Sequence, residues 1–339
     1  MTAAATTLLP VGGPFFEELE VGQRIETAPA MTLTPGHAAL HQAIVGDRLR
    51  LPLDASLSTA VSGDVRQLAH PGLVWDVAVG QSTLVTQRVI ANLFYRGLVL
   101  HRQPRLADTL RTTVEVGALR QNSPRPGRGG TGLAALRVRT VDQEERLILD
   151  FWRCAMLPLR DPEAETGHAD DLDSIPTALD LAAVRSSLAG WRLGAFRELV
   201  PGPHFEDLEL GSRWSIVAGD VVSAAPELAR MTLNLAMAHH DADASGRGRR
   251  LVYGGLTIGL AACHLSRALP SLVAYAAWHA CDHLGPVFEG DTLHSEVELE
   301  QTEALPSGGG LVHLAVRTSA RRDGKDFEVL RWRPVAVMA

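Results

Sequence analysis

The sequence predicts an α+β protein built from two copies of one domain, each an antiparallel sheet packed on a long apolar helix. Three observations predict it: an internal repeat, a glycine-opened apolar stretch of helical length in each half, and alternating strand-like runs after that stretch. At 339 residues the chain is long enough for two domains of ordinary size.

The repeat comes first, because it sets the architecture. Residues 13–24 read GPFFEELEVGQR and residues 202–213 read GPHFEDLELGSR, an offset of 202 − 13 = 189. HPGLVWDVAVGQSTL from His70 is mirrored by YGGLTIGLAACHLSR from Tyr253, an offset of 183. Ala107–Leu110 (ADTL) matches Gly290–Leu293 (GDTL) at the same offset of 183. Three matches in one order make the chain a duplication.

The apolar stretch Leu256–Ala277 holds His264, Arg267 and Pro270, so it predicts a helix inside a protein core and not a membrane span. Strands are predicted over 109–119, 131–140 and 146–157 in the first half, and over 292–301, 310–318 and 327–337 in the second. Patterns such as LRTTVEVGAL and LHSEVELEQ alternate as half-buried antiparallel strands do. The stretches 122–132 (NSPRPGRGGTG) and 306–310 (PSGGG) read as hairpin loops. Asp108 and Asp291 head matching turns into strands and are expected to be structural. The polar stretch from Arg160 to Ser174 marks a boundary. It gives an N-terminal domain over 1–160, a linker over 161–200 and a C-terminal domain over 201–339.

Composition excludes several classes of function. Hydrophobic residues make up 46% and charged residues 21%, which suits a folded globular chain. A net charge of −7 argues against a nucleic-acid partner. Cys154, Cys263 and Cys281 fit neither a disulfide framework nor zinc-ligand spacing. The N-terminus (Met1–Val11) lacks the early Lys or Arg of a secretory signal. A cytoplasmic protein with no membrane partner is expected.

The motifs that carry chemistry lie in the second half. Asn234-Leu-Ala-Met-Ala-His239 places an amide five residues before a histidine, with His240 and Asp241 following; Arg249-Arg250-Leu-Val-Tyr253-Gly254-Gly255 opens the apolar helix. On these strings, and on GPFFEELEVGQ, VIANLFYRG, DTLRTTVEVGALRQN and HLGPVFEGDTL, the chain resembles the MaoC-like double hot-dog hydratases over nearly its whole length. Within that family it is most similar to the branch acting on mesaconyl-CoA. Asn234 resembles that branch too, since the simpler enoyl-CoA hydratases carry Asp there.

The resemblance implies a tandem hot-dog fold and reversible hydration of an enoyl-CoA thioester. It implies no cofactor beyond the CoA of the substrate, and no metal; a set formed by His239, His240, Asp241 and Asp243 is the only metal alternative. A homo-oligomer is expected. His239 becomes the candidate base, since an imidazole titrates near operating pH. Asn234 is expected to orient water or the imidazole, or else to be a buried capping amide. Asp241 is expected to polarise His239, or else to shape a turn. Backbone N–H groups of Gly254 and Gly255 are candidates for an oxyanion hole, because a helix N-terminus offers unpaired donors. Tyr253 and His283 are expected to line the substrate pocket. Arg249 and Arg250 are expected to bind a second substrate carboxylate or the CoA phosphates, the alternative being a solvated basic loop.

In the first half Asp47 has Pro52, not histidine, five residues on, so that half is expected to be non-catalytic. Rival readings stay open: another enoyl-CoA or acyl-carrier-protein thioester, a non-catalytic acyl-CoA binding protein, or thioester hydrolysis on the same fold.

Overall fold

The computed structural model describes residues 11–339 apart from 125, 126 and 128. The apolar N-terminus and part of the loop at 122–132 therefore lie outside the described residues. In the first half the strands are β1 (Arg24–Ile25), β2 (Met31–Thr32), β3 (Ala91–Leu100), β4 (Thr109–Gln121), β5 (Thr131–Val141) and β6 (Leu147–Pro158). In the second they are β7 (Arg213–Ser215), β8 (Asp220–Val221), β9 (Leu272–His283), β10 (Thr292–Ala304), β11 (Gly310–Arg322) and β12 (Lys325–Met338). The helices are α1 (Pro35–Val45), α2 (Arg50–Leu53), α3 (Ala55–Ser62), α4 (Pro71–Gln81), α5 (Leu181–Ser187), α6 (Leu193–Leu199), α7 (Ala225–Met231) and α8 (Gly254–Ala268).

The strands form one antiparallel sheet in the order β1-β4-β5-β6-β3-β9-β12-β11-β10-β7, with β2 and β8 paired at its margins. The two halves meet where β3 pairs with β9, Tyr95 lying opposite Cys281. Each half is a sheet wrapped on one helix, α4 or α8, which is the tandem hot-dog. All eleven residues of α4 are buried, as is α8 from Gly255 to Ser266. Helices apolar on every side belong inside a protein. The apolar stretch that begins at Leu256 does not continue as helix to Ala277. The helix ends at Ala268, ahead of Pro270, and Leu272 starts β9.

The repeat is structural as well as verbal. Glu18 accepts from the backbone N–H of Phe15 at 2.8 Å, and Asp207 accepts from that of His204 at 2.9 Å. Asp108 accepts from Arg105 N–H and ion-pairs with Arg66; Asp291 accepts from Phe288 N–H and ion-pairs with Arg322. Both aspartates are structural. The stretch 161–200 carries α5 and α6; Val184 of α5, Phe196 of α6 and Trp191 between them share a small core with Val61 of α3 and Val273 of β9.

Between the helices and the seam lies an aromatic cluster. Trp75 of α4 packs edge-on against Trp278 of β9 at 4.7 Å between ring centroids, and Trp332 of β12 lies 5.5 Å from Trp278. Each such ring buries enough apolar area to contribute several kcal/mol on removal (Trp→Ala about 3–5). The cluster locks α4 of one half onto strands of the other. Among the described residues no helix is long and apolar enough to cross a membrane.

Candidate active site

A cavity of about 270 Å³ lies at the junction of the halves. The second half contributes Asn234, His239, Tyr253, Gly254 and His283; the first contributes Thr83, Thr86, Asn92, Tyr95 and Arg153. Five of the residues predicted from sequence therefore share one space.

The segment carrying Asn234 and His239 follows α7 and is clamped onto the first half. Leu235 N–H donates to Thr83 Oγ1 and Met237 N–H to the Gln87 carbonyl, both at 2.8 Å. The fit is tight at Gly80, where a Cβ would come within 1.7 Å of the Thr232 carbonyl oxygen. Only glycine allows α4 to approach this segment so closely.

His239 ends a short 3-10 turn (Met237–His239). Its Nδ1 lies 2.9 Å from the Leu251 carbonyl, which can only accept, so the proton sits on Nδ1 and Nε2 keeps its lone pair. Leu251 N–H in turn donates to the Ala238 carbonyl, fixing both strands of this loop. The His239 ring lies against Tyr253, 5.6 Å between centroids. Burial pulls the His239 imidazole down to about 4, so it is neutral at pH 7. His283, at the end of β9, is likewise lowered to about 4 by burial, and its buried Nε2 has no protein partner.

Asn234 is 3% exposed, and its Oδ1 accepts from Ala236 N–H at 2.9 Å. The amide thus caps the turn with its oxygen, while Nδ2 has no protein acceptor among the described residues. Tyr253 donates its hydroxyl to Asp76 Oδ1 of α4 at 3.1 Å, and burial followed by Asp76 raises the phenol well above its usual range. This phenol anchors the helix start to the other half.

The helix N-terminus is the second functional element. α8 has no side-chain capping bond; Leu256 N–H turns back to the Tyr253 carbonyl at 3.0 Å, which leaves the N–H groups of Gly254 and Gly255 without an intrahelical partner. Gly254 lines the cavity, and a Cβ there would sit 2.7 Å from Cε1 and Nε2 of His283. Gly255 does not line it; a Cβ at 255 would meet Asp76 Oδ1 at 2.1 Å and the Tyr253 ring. Of the two glycines only Gly254 therefore reaches the cavity, while Gly255 is held in packing.

Three of the predicted residues, Asp241, Arg249 and Arg250, do not line this cavity. Asp241 does not touch His239: it is exposed and its Oδ1 accepts from Asp243 N–H, because the imidazole is already held by a backbone carbonyl. Arg249 lies over the Phe288 ring and donates to the Glu289 carbonyl, and Arg250 pairs with Glu289 at 2.7 Å. Neither lines the cavity; the arginine of that loop that does is Arg247. His240 is bound to the Asn234 carbonyl, and among the described residues no group of three or more His, Cys, Asp or Glu converges as metal ligands.

The matching corner of the first half is closed. His70 Nδ1 accepts from Gly72 N–H at 2.9 Å, so α4 is capped by its own imidazole. His70 Nε2–H then donates to Asp47 Oδ2 at 2.9 Å, and Tyr275 leans on the same carboxylate. Burial works to raise the Asp47 carboxyl, but His70 and its hydrogen bonds hold it below the usual range. Sequence reasoning located Asp47 but missed that His70 fills the helix start.

No protein-family model matches the chain. β-Methylmalyl-CoA dehydratase of Chloroflexus aurantiacus is 31% identical over 322 residues, 92% of this chain and 89% of that one. Mesaconyl-CoA hydratase of Cereibacter sphaeroides is 29% identical over 337 residues, covering 94% and 92%. Among solved structures, a conserved hypothetical double hot-dog protein from Mycobacterium tuberculosis superposes with a TM-score of 0.90 at 50% identity, covering 98% of this chain and all of that one. A MaoC domain dehydratase structure from Chloroflexus aurantiacus gives 0.85 at 26% identity, covering 96% and 97%. With similarity above 30% running along nearly its whole length and a duplicated sheet-on-helix fold, the chain belongs to the MaoC-like double hot-dog hydratase family that includes β-methylmalyl-CoA dehydratase.

Proposed function

We propose that this chain is a hydro-lyase that reversibly adds water to an enoyl-CoA thioester, with mesaconyl-CoA as substrate and β-methylmalyl-CoA as product. The substrate follows from the names of the two relatives. The observation that carries the chemistry is the pairing of a neutral His239, its Nε2 free, with an uncapped helix N-terminus at Gly254 in one cavity.

Water adds its oxygen to the β-carbon while His239 Nε2 takes one of its protons. The electron pair of the double bond moves onto the thioester oxygen, which accepts from Gly254 N–H at the positive end of α8. The imidazolium then gives its proton to the α-carbon and the carbonyl re-forms. Burial disfavours an isolated imidazolium, but here it arises together with the enolate oxygen, so the cavity holds a neutral pair. Asn234, which lines the same cavity, holds the water through Nδ2, and each step uses groups of this chain alone. The first half supplies the far wall, while its own helix start is occupied by His70. Arg247, exposed at the cavity, suits the phosphates of CoA.

Loss of enoyl absorbance from mesaconyl-CoA, without release of a thiol, tests this reading. Wild type is expected to hydrate and His239→Ala to lose at least about a hundredfold in kcat. Thiol release would assign a thioesterase, and activity retained in His239→Ala would reject the base.

A further inference from the structure

The mechanism above leaves one buried charge unused. Arg153 is 2% exposed and lines the same cavity as His239 and Gly254. It sits on β6, on the face otherwise made of Leu149, Phe151, Ala155 and Leu157, all buried. Its guanidinium donates through Nη2 to the Ser82 carbonyl at 3.1 Å and to Thr86 Oγ1 at 2.8 Å, and through Nη1 to Asn92 Oδ1 at 3.5 Å. Nε–H has no partner. No carboxylate of the described residues pairs with it. The ionisable groups that act on it are Tyr95, Tyr253 and Cys154, all neutral when protonated, and burial raises the Cys154 thiol to about 11.

A guanidinium stays protonated in proteins, and a buried charge without a counter-charge is an arrangement that proteins avoid unless a ligand supplies the missing partner. A second donor waits beside it: Asn92, also at the cavity, has a buried Nδ2 with no acceptor. The duplication offers an internal control. Asn92 faces Ala155 across the β3–β6 ladder, and Tyr275 faces Ala336 across β9–β12, so 336 − 155 = 181. That offset puts Pro334 (153 + 181) in the place of Arg153, while Tyr275 replaces Asn92. The half that is closed by His70 carries no cation there.

We propose that Arg153, with Asn92, receives the second carboxylate of the substrate and makes the enzyme selective for dicarboxylic enoyl thioesters. This rests on the hydratase reading for its substrate, though not for its test. In mesaconyl-CoA that carboxylate is bonded to the β-carbon, the atom that water attacks. The charge and the unpartnered Nε–H of Arg153, with Asn92 Nδ2 as a second donor, suit a carboxylate and fix its orientation. Holding the carboxylate therefore holds the β-carbon before His239. Arg249 and Arg250, tied to Glu289 and Phe288, do not take this part.

The test uses the full chain and two saturated esters that cannot take up water: methylsuccinyl-CoA, and 2-methylbutyryl-CoA, which has methyl in place of the carboxylate. Calorimetric titration of wild type is expected to favour methylsuccinyl-CoA at least about thirtyfold, since a site built to hydrogen-bond a group rejects the analogue lacking it. Arg153→Gln is expected to lose most of that preference while holding 2-methylbutyryl-CoA about as well as before. Arg153→Lys, which keeps the charge without the planar guanidinium and its Nε–H, is expected to fall between. Equal wild-type affinity for the two esters overturns the proposal, whatever the variants do. A preference retained in Arg153→Gln overturns it too, as does an equal loss for both esters, which would place Arg153 on CoA or on the fold. Selective binding without hydration of mesaconyl-CoA would reject the hydratase reading and leave the carboxylate site standing.

Discussion

Burial of His239 has a consequence for pH that can be worked through. The imidazole falls from 6.5 to about 4 on folding, with burial as the main cause. Between those values the unfolded chain binds the proton and the folded chain does not, so stability is lost as pH falls through that window. The full effect, 2.5 × 1.36, is about 3.4 kcal/mol, reached well below pH 4. At pH 5 it amounts to about 2 kcal/mol relative to pH 8. His283 acts in the same direction, and two imidazoliums in one cavity repel. His239→Asn keeps a donor for the Leu251 carbonyl and removes the titration. Urea midpoints at pH 8 and pH 5, with unchanged slope, are expected to show the variant gaining about 2 kcal/mol on wild type over that interval. The acid limb of kcat/KM for wild type is expected near 4, because it reports the base of the free enzyme. Parallel stability curves for the two proteins, or an acid limb near 6.5, would refute the assignment of His239 as a buried neutral base.

Other variants separate packing from chemistry. Gly254→Ala puts a methyl 2.7 Å from the His283 ring; steady-state kinetics are expected to show at least a tenfold loss of kcat/KM, or about 1.4 kcal/mol. His70→Ala takes one donor from the buried Asp47 carboxylate and leaves it Leu49 N–H and the Tyr275 hydroxyl; denaturant melts are expected to show a loss of about 2 kcal/mol, with kcat/KM within about threefold of wild type. Asp241→Asn retains an acceptor for Asp243 N–H, and turnover is expected to change by less than about twofold, whereas a hundredfold loss would restore Asp241 as a partner of His239.

The sequence made some of this legible for physical reasons. Outer strands such as β4 and β10 face the helix on one side and water on the other, so their patterns alternate. The seam strands β3 and β9 were not found, because ANLFYRGLVL and LVAYAAWHACDH read as near-continuous apolar runs. Their signal is that of any buried segment, and in β9 it ran on from the helix before it. At the site, His239, Asn234, Tyr253, Gly254 and His283 were visible because local strings carry them. For Asp241, Arg249 and Arg250 the sequence leaves pocket and solvated turn equally open, since nothing in it says where a polar loop turns its side chains. Arg153 had a signal that went unread: in Leu149-Phe151-Arg153-Ala155-Leu157 a charge interrupts the apolar phase of a strand. Thr83 and Asn92 lie in strings that the repeat and the resemblance use, but nothing in those strings marks either as facing the cavity, and Thr86 had no signal.

Duplication followed by divergence explains why one cavity needs both halves. Two identical domains would present two helix starts and two walls. In this chain His70 has closed one helix start, and Tyr253, whose hydroxyl is spent on Asp76, leaves the other open. The walls diverged in the opposite sense: Asn92 and Arg153 line the cavity with Gly254, whereas Tyr275 packs on His70 and Asp47 and Pro334 takes the register place of Arg153. On the proposed reading, catalytic donors and substrate-holding groups therefore lie on different copies, joined through the β3–β9 seam. A chain cut at the domain boundary would expose β9 as a bare, apolar edge, a template for aggregation. It would also keep His239 and Gly254 while losing Arg153. The fusion is thus a condition for the site and not merely a way of tethering two domains.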